Sequence, residues 1–592
     1  MENHIIRMFL NRAEKYGTRE VFRYRNNKKS YQSLNWAEAK EKVENVLNSL
    51  RSIDSGKGEN VGIFSSNRLE WMVTDLAILA NQGVVVPFYA TASREQVKYI
   101  VEETGMKIMF VGGREQLEVA LSLMDEGSTL KKLIIFDNYT GDDNRVIDFQ
   151  TFLKHASDET TLIHIEDVEP DYNPDDLATI IYTSGTTGEP KGVMLKHDNF
   201  MYCFDIHEQR LNVTDKDVSL CFLPLSHVFE RLWSHYLLHS GAVNVFLENP
   251  REVIEVLPVV KPTLMCTVPR FFDKTYHGIH TELSKWPSFK QKIFRWSMSV
   301  GHQAIEYQCR SRELPFSLKV KHSIANILVL KKLRSIFGGN IKAMPCSGAA
   351  INTEVLKFFH AMGIFVNYGY GLTETTATVS CFKTDEYFFG TCGTIMPGVN
   401  VKISEKGEIL VKGRSVFPGY YKKDEATKEV IKDGWFHTGD EGYIDNKNNL
   451  VMVDRIKDLM KTSVGKFVSP QKLELLLGQD ELIEQIVVVG DNRQFVTALV
   501  VPSVEKLKSI ASNTGITFRD DEELMKSEKI RVLIENRFAR LQKELTPHER
   551  VVKFSLLTEP FTIEAGTMTN TLKLRRRAIE KAYQHIIDKM YE

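Results

Sequence analysis

The chain lacks most of the features that would place it outside the cell, across a membrane or on nucleic acid. Its seven cysteines (Cys203, Cys221, Cys266, Cys309, Cys346, Cys381 and Cys392) are odd in number and scattered, and no C-x-x-C pair occurs. That pattern argues against a disulfide framework and a zinc ribbon, and it fits reduced thiols in a cytosolic setting. His277 and His280 stand close together, but nothing near them completes a metal site. The net charge of −1 supplies no global field for nucleic acid or an anionic membrane. No stretch reaches the ~18 uninterrupted apolar residues of a transmembrane helix. Between Met1 and Gly17, Glu2 and Arg7 break any signal-peptide core, while Ile5, Ile6, Phe9, Leu10 and Ala13 have the spacing of an amphipathic helix. There is no internal repeat, no low-complexity tract and no Walker A loop of the form G-x-x-x-x-G-K-[ST].

What is present reads as an ordinary globular composition, 43% hydrophobic and 26% charged over 592 residues, enough chain for about four domain-sized units. Residues 60 to 113 alternate in type. Val61–Ser65, Val84–Tyr89 and Lys107–Val111 read as short buried strands, and Leu69–Ala80 and Glu95–Glu103 as helices between them. This rhythm predicts an α/β fold with a parallel sheet. It returns at Val243–Leu247, Leu264–Val268, Ile341–Cys346 and Ile364–Asn367, whereas 282–337 reads as a basic helical insertion. After residue 454 the texture changes to short β runs at Ile486–Val489, Val496–Val501 and Val551–Leu556. An amphipathic helix follows Ser527, with Ile530, Leu533, Ile534, Phe538, Leu541 and Leu545 on one side. The expected architecture is a large α/β domain of layered sheets, 1–454, and a smaller α+β domain, 455–592.

The densest local signal is Tyr182-Thr183-Ser184-Gly185-Thr186-Thr187-Gly188-Glu189-Pro190-Lys191-Gly192, directly after the apolar run Leu177–Ile181. Glycines free backbone N–H groups to face an anion, and hydroxyls and a lysine add donors and charge, so the loop suits a triphosphate. Further motifs follow in order: Leu223-Pro224-Leu225-Ser226-His227-Val228-Phe229-Glu230-Arg231, Ser347-Gly348-Ala349-Ala350, and Tyr368-Gly369-Tyr370-Gly371-Leu372-Thr373-Glu374-Thr375. Then come Trp435-Phe436-His437-Thr438-Gly439-Asp440, Asp454-Arg455-Ile456-Lys457-Asp458 running on to Lys466, and Thr569-Asn570-Thr571-Leu572-Lys573.

This ordered set, over roughly residues 10–580, resembles the AMP-forming acyl-CoA synthetases of the adenylate-forming superfamily. The first of these motifs, the Ser-Gly-Ala-Ala element and Val268-Pro269-Arg270 resemble the long-chain fatty acid–CoA ligases in particular. The resemblance implies ATP-dependent activation of a fatty acid to acyl-AMP, then transfer to coenzyme A, with Mg²⁺ as cofactor. One anion attacks another in the first step, so catalysis must neutralise charge and align reactants. It implies that Thr183, Ser184, Gly185, Thr186, Thr187, Gly188 and Lys191 cradle the β- and γ-phosphates. Glu374, with the Ser184 or Thr183 hydroxyl, would hold Mg²⁺, and Thr373 would touch the α-phosphate. Tyr370, beside Gly371, would stack on adenine, with Gly348 and Ala349 leaving room for the ring. Asp440 would take the ribose hydroxyls, with Arg455 adding a ribose or phosphate contact. His227 would line the carboxylate and thiol path, as a wall and not a proton carrier. Lys573 would bridge carboxylate and α-phosphate in the transition state.

Asn570 stands where relatives usually carry proline, and Tyr368 where many carry glutamine or glutamate; the latter could alter the floor of the acyl pocket. The resemblance further implies a hinge at or near Lys457, which swings the loop Ser463–Lys466 toward the thiol channel for the second step. Phe229, Trp233 and Phe222 are the candidates for the acyl channel, where each buried methylene adds ~0.8 kcal/mol. The partners implied are fatty acid, ATP and coenzyme A, with no nucleic acid. The expected location is cytoplasmic, with a peripheral contact at the inner face of the membrane left open. The rival readings are a ligase for an acyl carrier protein or for aryl or medium-chain acids, and a silent nucleotide- or fatty-acid-binding protein.

Overall fold

The structure, a computed structural model, describes residues 2–26, 30–154, 162–183, 189–463, 465–569 and 573–592. Seven strands form the first sheet, in the order Val146–Asp148, Lys132–Ile135, Ile108–Val111, Asn60–Phe64, Val84–Phe88, Leu177–Thr183 and Lys191–Lys196. All neighbours are parallel except the last pair, which is an antiparallel hairpin. Strands such as Val84–Phe88 are buried on both faces and are therefore continuous apolar runs. Helix Leu69–Ala80 is buried all round because it touches strands of this sheet on one side and Glu20–Arg25 of the second sheet on the other. That position explains why its sequence shows no polar face.

The second sheet runs Tyr31–Asn35, Glu20–Arg25, Val243–Phe246 and Val218–Cys221. Single bridges at Leu264 and Thr267 connect it to Ala343–Cys346, Phe365–Tyr370, Ser380–Cys381 and Thr394–Ile395. The expected strand at Leu264–Val268 is thus reduced to isolated bridges; Pro269 opens the helix Pro269–Ser284 directly after it. The helical insertion is present as Ser288–Gln308, Phe316–Ala325, Asn326–Leu330 and Lys331–Ser335. A third, antiparallel sheet centres on Trp435–Ile444, flanked by Glu408–Lys412 and Leu450–Arg455.

Beyond it, Ile483–Val489, Val496–Pro502 and Val551–Leu556 form a three-stranded sheet. Alternate residues feed two separate cores: Val488, Ala498 and Val500 face one, and Val487, Leu499 and Val501 the other. Helix Glu528–Leu541 seals the first with Ile530, Ile534 and Phe538. Leu545, read from the sequence as part of that helix, lies past its end but still packs on the same core. The N-terminal helix is Ile5–Tyr16, capped by the His4 side chain and buried through Ile5, Ile6, Met8 and Phe9.

Candidate active site

The hairpin Leu177–Thr183/Lys191–Lys196 sets the phosphate-loop candidates at one sheet edge, with Thr183 opposite Lys191. Ser184, Gly185, Thr186, Thr187 and Gly188 lie outside the described residues. Gly192 is glycine for a packing reason: a Cβ there would come 2.7 Å from Ile180 Cγ2. The Lys191 ammonium stands 4.9 Å over the Tyr420 ring, and the Tyr420 hydroxyl donates to Glu374 Oε1 at 2.9 Å. Tyr420 thus joins the lysine to the acid. Sequence reasoning missed it because the 46 positions between Glu374 and Tyr420 hide the contact.

Glu374 occupies the short turn Thr373–Thr375, which follows the strand Phe365–Tyr370. Burial pushes its carboxyl up, while hydrogen bonds, including that from Tyr420, pull the other way. The turn is tight. A Cβ at Gly371 would lie 2.3 Å from the Ala377 carbonyl, and one at Gly369 2.5 Å from the Ser380 oxygen. Both glycines of Tyr-Gly-Tyr-Gly are therefore required by close backbone approach. Thr376 and Ala377 are held at φ 50° and 57°, a left-handed pair unusual for side-chain-bearing residues. The Thr376 hydroxyl, donating 2.7 Å to the Ser415 carbonyl, helps fix that shape. Strain of this kind gathers where geometry matters more than local comfort.

Asp440 and Arg455 face each other across the ladder between Trp435–Ile444 and Leu450–Arg455. Asp440 is 1% exposed. Its Oδ2 accepts the Tyr370 hydroxyl at 2.5 Å; Arg455 Nε approaches Oδ1 at 3.3 Å, without hydrogen-bond geometry. Among the described residues Oδ1 has no hydrogen-bond partner, although it is buried. A buried carboxylate oxygen left unbonded next to a cation is suited to a ligand hydroxyl. Burial raises the Asp440 carboxyl, and Arg455 opposes the shift. The Tyr370 phenol, which the sequence suggested as an adenine platform, is tied edgewise to Asp440. Gly348 has φ 92°, and the Ala349 carbonyl accepts the Tyr368 hydroxyl at 3.1 Å.

His227 caps helix Val228–Ser240, its Nδ1 accepting from the Phe229 N–H at 3.2 Å. In the neutral ring that leaves the proton on Nε2. Burial, reinforced by the Lys573 charge, lowers this imidazole to about 4, so it is neutral at pH 7 and poorly placed to take a proton. Lys573 comes from the opposite end of the chain. Its side chain reaches solvent, yet the protein packed around it desolvates the ammonium and lowers it to about 8. Arg455 adds to that shift and Asp440 opposes it. Lys573 therefore stands within electrostatic reach of His227, Arg455 and Asp440. Lys457 lies in an exposed turn after Leu450–Arg455. Just before it, the buried Asp454 accepts the Ser469 hydroxyl at 2.5 Å.

Of the apolar-channel candidates, Trp233 is buried and its Nε1 donates 2.9 Å to Ser219 Oγ. Phe229 is only half-buried, and Phe222 packs against Phe271 with ring centroids 5.7 Å apart. Behind this wall lies a buried charge cluster that the sequence did not reveal. Arg231 donates to Asp75 Oδ1 and, from its other terminal nitrogen, approaches Thr179 Oγ1 at 2.5 Å; His235 Nε2 lies 2.8 Å from Asp75 Oδ2. It ties the strand leading into the phosphate loop to the helix carrying His227. Its partners lie 52 to 160 positions apart, so no local pattern exposes it.

The described residues thus hold a buried carboxylate with one unbonded oxygen, a hairpin that sets Thr183 opposite Lys191, and a lysine from the far end of the chain. The chain belongs to the AMP-binding enzyme family, whose profile matches residues 9–421, and the AMP-binding enzyme C-terminal domain matches 457–592. It is 30% identical to the long-chain-fatty-acid–CoA ligase FadD15 of Mycobacterium tuberculosis, over 94% of this chain and 92% of that protein. Identity is also 30% to long-chain-fatty-acid–CoA ligase 5 of Rattus norvegicus, over 96% and 86% of the two chains. Long chain acyl-CoA synthetase 3 of Arabidopsis thaliana is 29% identical over 94% and 87%. In fold the chain matches the anthranilate CoA ligase AuaEII in complex with anthranoyl-AMP (TM-score 0.75, 15% identity, 99% of this chain and 98% of that one). It likewise matches the A-PCP didomain of a carboxylic acid reductase from Segniliparus rugosus in complex with AMP (TM-score 0.78, 21% identity, 100% and 82%).

Proposed function

We propose that this protein activates long-chain fatty acids. The acid's carboxylate attacks the α-phosphate of ATP, giving acyl-AMP and releasing pyrophosphate; the thiol of coenzyme A then displaces AMP to give acyl-CoA. The observation that carries this reading is the site in which Lys573 stands within electrostatic reach of His227, Asp440 and Arg455. In it, Asp440 accepts the ribose hydroxyls on its unbonded oxygen, with Arg455 beside it. Thr183, Lys191 and the loop between them take the β- and γ-phosphates. The Glu374 carboxylate, oriented by Tyr420, fits Mg²⁺, which when bound neutralises phosphate charge. Tyr370, Gly348 and Ala349 border the adenine, and Thr373 the α-phosphate.

Lys573 bridges the incoming carboxylate and the α-phosphate, so its charge acts most strongly where negative charge builds up. His227, neutral and held by its own helix, is a wall of the reaction path. Residues 1–454 and 455–592 act as two bodies. Once acyl-AMP has formed, rotation about Lys457 withdraws Lys573 and brings Ser463–Lys466 to the thiol path. Phe229 and Trp233 border the acyl chain. Among the described residues no helix is long and apolar enough to cross a membrane. The enzyme works in the cytoplasm, meeting its acids at the inner membrane face as a peripheral protein.

The test is acid-dependent pyrophosphate release with acids of ~8 to ~20 carbons, with and without coenzyme A, since each buried methylene strengthens binding until the channel ends. Release that peaks with long acids and yields acyl-CoA supports the reading. Release without thioester would move it to a carrier-protein ligase, and no release with any fatty acid would end it.

A further inference from the structure

The helical insertion carries an apolar face that the core does not use. Helix Ser288–Gln308 packs inward through Phe294, Met298 and Val300. Its partner Phe316–Ala325, continued through the π-type turn Asn326–Leu330 and helix Lys331–Ser335, packs inward through Leu318, Ala325, Val329, Leu330 and Leu333. Each also has an outer row. On the first, Phe289, Ile293 and Trp296 stand at i, i+4 and i+7, all exposed. On the second, Phe316, Val320, Ile324, Ile327 and Leu328 stand at i, i+4, i+8, i+11 and i+12, again all exposed. Phe316 is 83% exposed, Ile327 70% and Phe289 60%. Scattered exposed hydrophobics are normal, but here eight stand in two rows at helical spacing on neighbouring packed helices, and exposed apolar surface gathered in this way marks interaction sites.

Charge accompanies the patch. From Lys285 to Arg334 there are eleven Lys and Arg residues against two Glu, in a chain of net charge −1. Lys290, Lys292, Lys319, Lys321 and Lys331 are all exposed. A second copy of the chain would bring this excess positive charge against itself, which disfavours self-association through the face. An apolar stripe edged by lysine is instead the pattern of a helix lying in the boundary of an anionic bilayer. The patch also joins the acyl wall: Phe294 shares one apolar core with Phe337, Phe271 and Phe222, and the Phe271 ring packs on both Phe337 and Phe222.

We propose that the outer face of Ser288–Gln308 and Phe316–Leu330 docks on an anionic lipid surface, seating the enzyme where water-insoluble acids reside. The acid-delivery part rests on the long-chain reading above; the docking itself does not. The experiment is co-sedimentation of the full chain with vesicles of phosphatidylcholine, alone or mixed with phosphatidylglycerol, with the fluorescence of Trp286 and Trp296 as a second readout. The wild type should sediment with the mixed vesicles, and its fluorescence should shift to the blue. The variant F289S/F316S/I327S, altered only at exposed positions, should lose about tenfold or more in partitioning. The variant K290E/K319E/K321E should lose the preference for phosphatidylglycerol. Both should keep wild-type turnover with a detergent-dispersed acid, which shows that they are folded.

Sedimentation of either variant equal to wild type would overturn the proposal. So would a wild-type protein whose mass doubles in solution while F289S/F316S/I327S stays monomeric, because the face would then bind a second copy. Vesicle binding by a protein that activates no long-chain acid would leave the docking standing and remove the substrate reading alone.

Discussion

Titrating Lys573 checks its place beside Arg455 and Asp440. Its ammonium lies at about 8, against 10.5 for an ordinary lysine, because desolvation by the surrounding protein and the Arg455 charge disfavour the charged form while Asp440 supports it. The sign follows directly. The group is a cation below that value and is lost as a cation as pH rises through it. Between pH 7 and pH 9 the charged fraction falls from about nine in ten to about one in ten, a tenfold change over a range where an ordinary lysine stays charged. If the cation stabilises the transition state of adenylation, kcat/KM for acid-dependent ATP–pyrophosphate exchange falls about tenfold over that interval. This ratio reads the free enzyme, before substrate anions raise the lysine again. Lys573→Arg keeps a cation whose pKa exceeds ~12 and should flatten the alkaline limb, even if its different shape lowers the absolute rate. His227 cannot produce the limb, since it is held near 4. An alkaline limb unchanged in Lys573→Arg would show that the Lys573 cation does not produce it.

Three further outcomes follow from the same geometry. Asp440→Asn keeps a group to accept from Tyr370 but loses the charged acceptor. It should lower kcat/KM for ATP roughly ten- to a hundredfold, the worth of one or two charge-assisted hydrogen bonds (~1.5–3 kcal/mol), with KM for the acid moving less. Arg231→Met leaves Asp75 buried without its cation and should cost ~3–5 kcal/mol in denaturant unfolding, with Asp75→Asn in the same chain restoring part of it. Recovery of nothing in the double variant would show that packing, not charge, was lost. Lys457→Pro should spare acyl-AMP formation and slow thioester formation; equal loss in both half-reactions would count against a hinge at that turn.

Much of the layered architecture was legible because parallel strands buried on both faces must be continuous apolar runs. Leu69–Ala80 and Val551–Leu556 have the bounds read from the sequence. The reading weakened where length or partners lay elsewhere: Leu264–Val268 looks like a strand by composition, but Pro269 starts a helix and leaves isolated bridges at Leu264 and Thr267. For the candidate site, the motifs carry glycines at 369 and 371 that backbone crowding requires, and an Asp440 and Arg455 that a tight ladder sets opposite each other. What they could not give was who holds whom. Tyr420 orienting Glu374, the Tyr370–Asp440 bond and the Asp75–Arg231–His235 cluster all join residues tens of positions apart. No local periodicity encodes such pairs; only the packed chain does.

The proposed role of Lys573, beside Asp440 and Arg455, is in acyl-AMP formation and not in the thiol step. The most direct measurement separates the two with Lys573→Ala: pyrophosphate release from acid and ATP, and, independently, acyl-CoA formation from synthetic acyl-AMP and coenzyme A. The first should collapse by a factor of about a hundred or more, as for loss of one electrostatic donor, with the second close to wild type. Equal impairment of both steps, or an undisturbed first step, would contradict it.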